Sequence, residues 1–187
     1  MKTPTESFRY DFVPTPFGDA FAVYSEQGLV RFDLSETDDP TVPWLLEGVS
    51  RSLNAVPEFS PGAADAILAP LEAYFEGEPV RLDHEIAIDW RLASGLMLDV
   101  LQQICEIPWG ETASYGEVAV LAGRPGAARA VGTICRSTPF SIVVPVHRVV
   151  RANGDPGQYG AFPERKRYLI DLEADGHRRQ YLEAPLK

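Results

Sequence analysis

The chain has 187 residues, enough for one domain with a substantial core or for two small ones. With 45% hydrophobic and 24% charged residues it has the composition of an ordinary soluble globular protein, and no apolar run approaches the length of a membrane span. Its two cysteines, Cys105 and Cys135, form neither a disulfide framework nor a metal-ligand spacing. The start Met1-Lys2-Thr3-Pro4 has no apolar signal region, so the expectation is a reduced, cytoplasmic protein without a membrane partner.

In chain order, Phe8, Tyr10 and Phe12 alternate with polar neighbours as in a half-buried strand. Pro16-Phe17-Gly18-Asp19 and Ser25-Glu26-Gln27-Gly28 are turn-like, bracketing a strand at 20–24 and preceding another at 29–34. A helix is expected over 42–53, after Asp38-Asp39-Pro40. A second is expected over 63–76, where Ile67, Leu68, Leu71, Tyr74 and Phe75 share a stripe and Gly77 can stop it. Ile86, Ile88 and Trp90 alternate again and predict a strand.

From Ser94 the pattern becomes helical. Leu96, Val100, Leu101 and Ile104 mark a helix ended by Pro108 and Gly110. Ser114 and Glu117 have the spacing of a capping box for a short helix that ends at Gly123. Pro125 can open the next one, giving a helix-turn-helix layout. The fold class is therefore α+β. A small N-terminal sheet-plus-helix domain over 1–93 precedes a mainly helical domain over 94–187 with a helix-turn-helix.

Charge divides near residue 100. The net charge of −10 would, as an average, oppose nucleic-acid binding. Residues 1–99, however, hold 6 Lys and Arg against 18 Asp and Glu, whereas 100–187 hold 11 against 9. Arg124, Arg129 and Arg136 stand in one short segment without an acid, and phosphate responds to local potential more than to total charge.

The chemically telling segment is Val144-Pro145-Val146-His147-Arg148-Val149. With Ile107-Pro108-Trp109-Gly110-Glu111, Ser114 through Ala119, Ala127 through Gly132, Tyr159-Gly160 and Glu164 through Glu173, it resembles the O6-alkylguanine-DNA alkyltransferases in order and spacing over roughly residues 107–173. In that family the position of Val146 carries the alkyl-accepting cysteine. Valine has neither a lone pair nor a proton to lose. The replacement resembles the alkyltransferase-like branch, which binds alkylated guanine without repairing it.

The resemblance implies double-stranded DNA containing O6-alkylguanine as partner, nucleotide excision repair proteins as recipients of the lesion, no cofactor, a monomer, and no enzyme activity. It implies that His147 and Glu173 are remnants of a Cys–His–Glu relay, and that Arg148 anchors the turn. Tyr115 would assist rotation of the nucleotide. Backbone at Val146, Val149 and Gly160, beside Tyr159, would hold the guanine edge. The residues alone leave Arg129 open between a salt bridge and a groove contact; the resemblance implies that its helix lies in the minor groove and that Arg129 fills the vacated base stack.

Thr138 stands where the family has asparagine, and Ala161-Phe162-Pro163 departs from the family's glycine-rich loop. Lone His84, with no cysteine near it, gives no zinc site. Two alternatives stay open: a transferase or hydrolase working through Cys135 or a water activated by His147, and an alkyltransferase whose cysteine was replaced by engineering.

Overall fold

The computed structural model describes residues 6–34, 42–160 and 162–183; Asp38-Asp39-Pro40 and Ala161 lie outside them. The protein is mixed α+β. Strands β1 (Arg9–Val13), β2 (Ala20–Ser25) and β3 (Gly28–Leu34) form an antiparallel meander, and β4 (Glu58–Phe59) joins β1 in parallel, in the order β3-β2-β1-β4. The β2–β3 turn is tight because Gly28 takes a φ of 146°, and a Cβ there would lie 2.2 Å from the Ala87 carbonyl oxygen.

The uninterrupted apolar run of β2 is explained by burial on both faces. Phe21 and Val23 pack with Val30 and with Leu45 and Val49 of helix α1 (Val42–Leu53), whereas Ala20, Ala22 and Tyr24 face the main core. That main core is shared along the chain. It joins Ile67, Leu71 and Tyr74 of α2 (Asp65–Phe75) to Leu101, Val131, Val144 and Leu169 beyond residue 93.

Two expectations need correction. After a single helical turn, α3 (Leu82–Glu85), the strand expected at 86–90 is reduced to an isolated bridge from Ile88 to Leu29 and gives way to a 3-10 turn at Trp90–Leu92. The Asp89 carboxylate accepts from the Arg91 amide and ends the extended segment by capping that turn.

The helix expected from Pro125 starts later. After α4 (Leu96–Cys105) and α5 (Tyr115–Leu121), Pro125 and Gly126 form a turn in which Gly126 has φ of 90°, a left-handed conformation that cannot continue into a helix. Helix α6 therefore spans Ala128–Ser137. The capping box at α5 is present: Ser114 Oγ accepts from the Glu117 amide, and the Glu117 carboxylate accepts from the Ser114 amide at 2.7 Å.

The last helix, α7 (Pro163–Glu183), crosses behind the signature. No helix among the described residues is long and apolar enough to cross a membrane.

Candidate functional site

Local rules bring the signature and α5 together. Val146–Arg148 form a buried 3-10 turn that runs into β6 (Val149–Val150), and β6 pairs in parallel with β5 (Ala113–Ser114). Tyr115 follows β5 directly, so this two-residue ladder sets the start of α5 beside Val146. Upstream, Ile142 holds a φ of 64°, a strained conformation for a β-branched residue. Thr138 Oγ1 accepts from the Phe140 amide at 3.2 Å, so a hydroxyl braces the turn where the family has an amide.

Behind the turn lies a fully buried network centred on Glu173. His147 Nε2 lies 2.7 Å from its Oε1, and the Tyr74 hydroxyl donates to the same oxygen at 2.8 Å. Arg148 donates from Nε to Oε2 at 2.8 Å and from Nη1 to the Ile107 carbonyl at 2.6 Å, while the Gly110 amide donates to Oε2 at 3.2 Å. Arg148 thus anchors the turn.

Burial pushes the Glu173 carboxyl up, but His147 and Arg148 more than offset it and hold the carboxyl well below its ordinary range. An ionised carboxylate only accepts, so Nε2 of His147 carries the ring proton. Burial, the largest cause, lowers the His147 pKa and keeps it neutral. Its Nδ1 is then a bare acceptor, buried and without a partner among the described residues.

In front of the turn is an open groove of about 570 Å³, within the usual range of small-molecule sites. It gathers Tyr115, Arg129, Val146, Tyr159 and Gly160. Val149, His147 and Glu173 do not line it; they form its buried support. Arg129 is exposed on α6 and makes no ion pair with a described residue, so the salt-bridge alternative has no support there. Burial raises the pKa of Tyr115 and of Tyr159, whose hydroxyl is buried beside the Ile142 backbone.

Four residues escaped the sequence reading. Lys166, 1% exposed, donates from Nζ to the Val149 carbonyl at 2.5 Å and lies 3.4 Å from the Tyr115 hydroxyl; burial lowers its pKa to about 8. The signal for it was its helical spacing, because 166, 169 and 173 fall on one face of α7 together with Glu173. Tyr74 read as one more apolar stripe residue. Arg31 and Asp33 of β3 also line the groove, and nothing local marked them.

The chain's two thiols stand elsewhere than position 146. Cys135 lines the groove half-buried, and Cys105 is buried at the end of α4; burial pushes both thiols up to about 12. Among the described residues no group of three His, Cys, Asp or Glu could hold a metal ion.

Residues 96–175 match a family described as "6-O-methylguanine DNA methyltransferase, DNA binding domain". A methylated-DNA–protein-cysteine methyltransferase of Mycobacterium bovis is 44% identical over 113 residues, covering 60% of this chain and 67% of that protein. One from Methanosarcina barkeri is 30% identical over 172 residues, 90% of this chain and 99% of that protein. The Mycobacterium tuberculosis OGT solved in complex with DNA superposes with a TM-score of 0.70 at 31% identity, over 91% of this chain and 94% of that one.

These relatives overturn the expectation that the chain is not an enzyme. Proteins resembling it over most of their length carry an enzyme's name, and the Cys105 thiol is present in this chain. On the match to nearly the whole Methanosarcina barkeri protein, the chain belongs to the methylated-DNA–protein-cysteine methyltransferase family.

Proposed function

We propose that the protein binds O6-alkylguanine in double-stranded DNA, inserting α6 of a helix-turn-helix into the minor groove and capturing the lesion as a flipped base. The observation that carries this reading is Arg129. It is a long cation, exposed and without an ion-pair partner among the described residues, on a helix whose neighbouring positions Ala128, Ala130 and Gly132 are small. It stands at the rim of a groove that also holds Tyr115, Val146 and Gly160. A planar cation there can stack in the vacated position and offset an extrusion cost of a few kcal/mol.

The relatives' names and the DNA complex of the Mycobacterium tuberculosis protein support a DNA ligand. Valine at 146 supports placement near the alkyltransferase-like branch, and with it delivery of the captured lesion to nucleotide excision repair. The test is the affinity for one duplex carrying O6-methylguanine against the same duplex carrying guanine. Equal affinities would refute the reading.

A second reading, alkyl transfer to another thiol, is favoured by the position of Cys135 in the groove lining, where the Lys166 ammonium offsets part of the burial that pushes the thiol up to about 12. Intact-protein and peptide mass spectrometry after incubation with methylated DNA would place a methyl group on Cys135. An unmodified Cys135 with the lesion intact would exclude that reading.

A further inference from the structure

The N-terminal sheet does more than support the helices. Strand β3 is an edge of that sheet, yet its edge is occupied. The Phe32 amide donates to the Pro139 carbonyl at 2.7 Å, and the Ser141 amide donates to the Phe32 carbonyl at 2.9 Å, forming a parallel bridge between Phe32 and Phe140. Residues 139–141 are the segment leaving α6 for the signature turn, so β3 is tied by main-chain hydrogen bonds to the chain that positions Val146. Phe32 is fully buried, whereas Arg31 and Asp33 on either side of it are only half-buried and line the same groove as Arg129 and Arg136.

The groove is basic although the chain is acidic. Among the described residues its lining holds five arginines and Lys166 against a single carboxylate, Asp33. A cleft lined by one sign of charge concentrates the opposite one whatever the net charge of the molecule. Arg31 is paired with Asp33, and the two side chains keep 28% and 17% of their exposure. A partly solvated pair of this kind is held weakly, and a phosphate offers the guanidinium a charge-assisted, bidentate alternative.

We propose that Arg31 is a DNA phosphate contact and that β3 forms the wall of the DNA groove opposite α6. This rests on reading the groove as a DNA site. A phosphate contact carries no sequence or lesion information, so it contributes equally to damaged and undamaged duplex. Asp33 opposes the same phosphate and sets a limit on the affinity.

The test measures the full-length chain against a labelled duplex with O6-methylguanine and its guanine counterpart, across a salt series. Arg31→Ala should weaken both duplexes alike, roughly threefold to tenfold at low salt, and should lower the slope of log affinity against log salt by about 0.9, one phosphate's worth. Arg31→Lys should keep the wild-type salt slope with a smaller loss of affinity than Arg31→Ala, and Asp33→Asn should tighten both duplexes.

Wild-type affinity and slope in Arg31→Ala, or a loss confined to the damaged duplex, would overturn the proposal. Should Arg31→Ala fail to fold, Asp33→Asn decides: unchanged or weaker binding overturns it. A wild-type protein that binds both duplexes equally refutes lesion recognition but leaves the phosphate contact standing if the slope still falls. A lesion preference with an unchanged slope refutes only the contact.

Discussion

Glu173 is the buried centre of a five-contact network, and Glu173→Gln tests it with almost no change of volume. The carboxylate accepts from His147, Tyr74, both the Nε and the Nη2 of Arg148, and the Gly110 amide, all at 2.7–3.2 Å and at 1% exposure. An amide keeps one acceptor oxygen and turns two donor hydrogens toward Arg148 or Gly110. Arg148, 5% exposed, then has no counter-charge.

Breaking one side of a buried pair costs about 3–5 kcal/mol, because the surviving charge stays desolvated. For a chain of this size each kcal/mol moves the midpoint by about 2–4 °C, so Tm should fall by roughly 6–20 °C. Thermal and urea unfolding followed by circular dichroism reads both quantities, and Trp109, packed against Tyr74 and Arg148, gives a local fluorescence signal. Adding Arg148→Met should recover part of the loss, since an apolar replacement of both partners removes the buried charge altogether. A loss below about 1 kcal/mol, or no recovery in the double variant, would show that Glu173 and Arg148 are not a desolvated pair.

Stability should also fall in acid through two groups of the same network. The folded pKa of His147 lies below its unfolded value near 6.5, so its contribution is complete above that value and is lost as pH falls from about 6.5; His147→Asn should flatten urea-unfolding stability between about pH 6.5 and 5. Glu173, also depressed, contributes above its unfolded value and loses that contribution as pH falls further, toward its folded pKa. Arg129→Ala should leave Tm unchanged and weaken lesion binding by about 0.5–2 kcal/mol, roughly 2- to 30-fold. An unstacking-sensitive fluorescent base at the target position should report less extrusion, and unchanged signal and affinity would make Arg129 a bystander. Val146→Cys should acquire a methyl group from O6-methylguanine DNA, slowly, because Thr138 replaces the family's bracing amide. Normal binding without transfer would show that His147 and Glu173 no longer have relay geometry.

The sequence determined what depends on neighbours along the chain. The α1 bounds at 42 and 53, the capping box at Ser114 and Glu117, and the anchoring of the signature turn by Arg148 were all readable from spacing, local hydrogen-bond chemistry or motif resemblance. Where the sequence reading erred, a competing local effect decided: the left-handed Gly126 moved the start of α6 to Ala128, and capping by Asp89 cut short the strand expected at 86–90.

What only tertiary structure decided is which distant groups share a low-dielectric site. Tyr74 is 99 residues from the Glu173 it donates to, Lys166 is 51 from Tyr115, and Arg31 reaches the groove through a bridge from Phe32 to Phe140. Periodicity says which face of a helix or strand turns inward. It does not say whose carboxylate waits there, and burial beside that partner is what turns a tyrosine, a lysine or an arginine into part of a site.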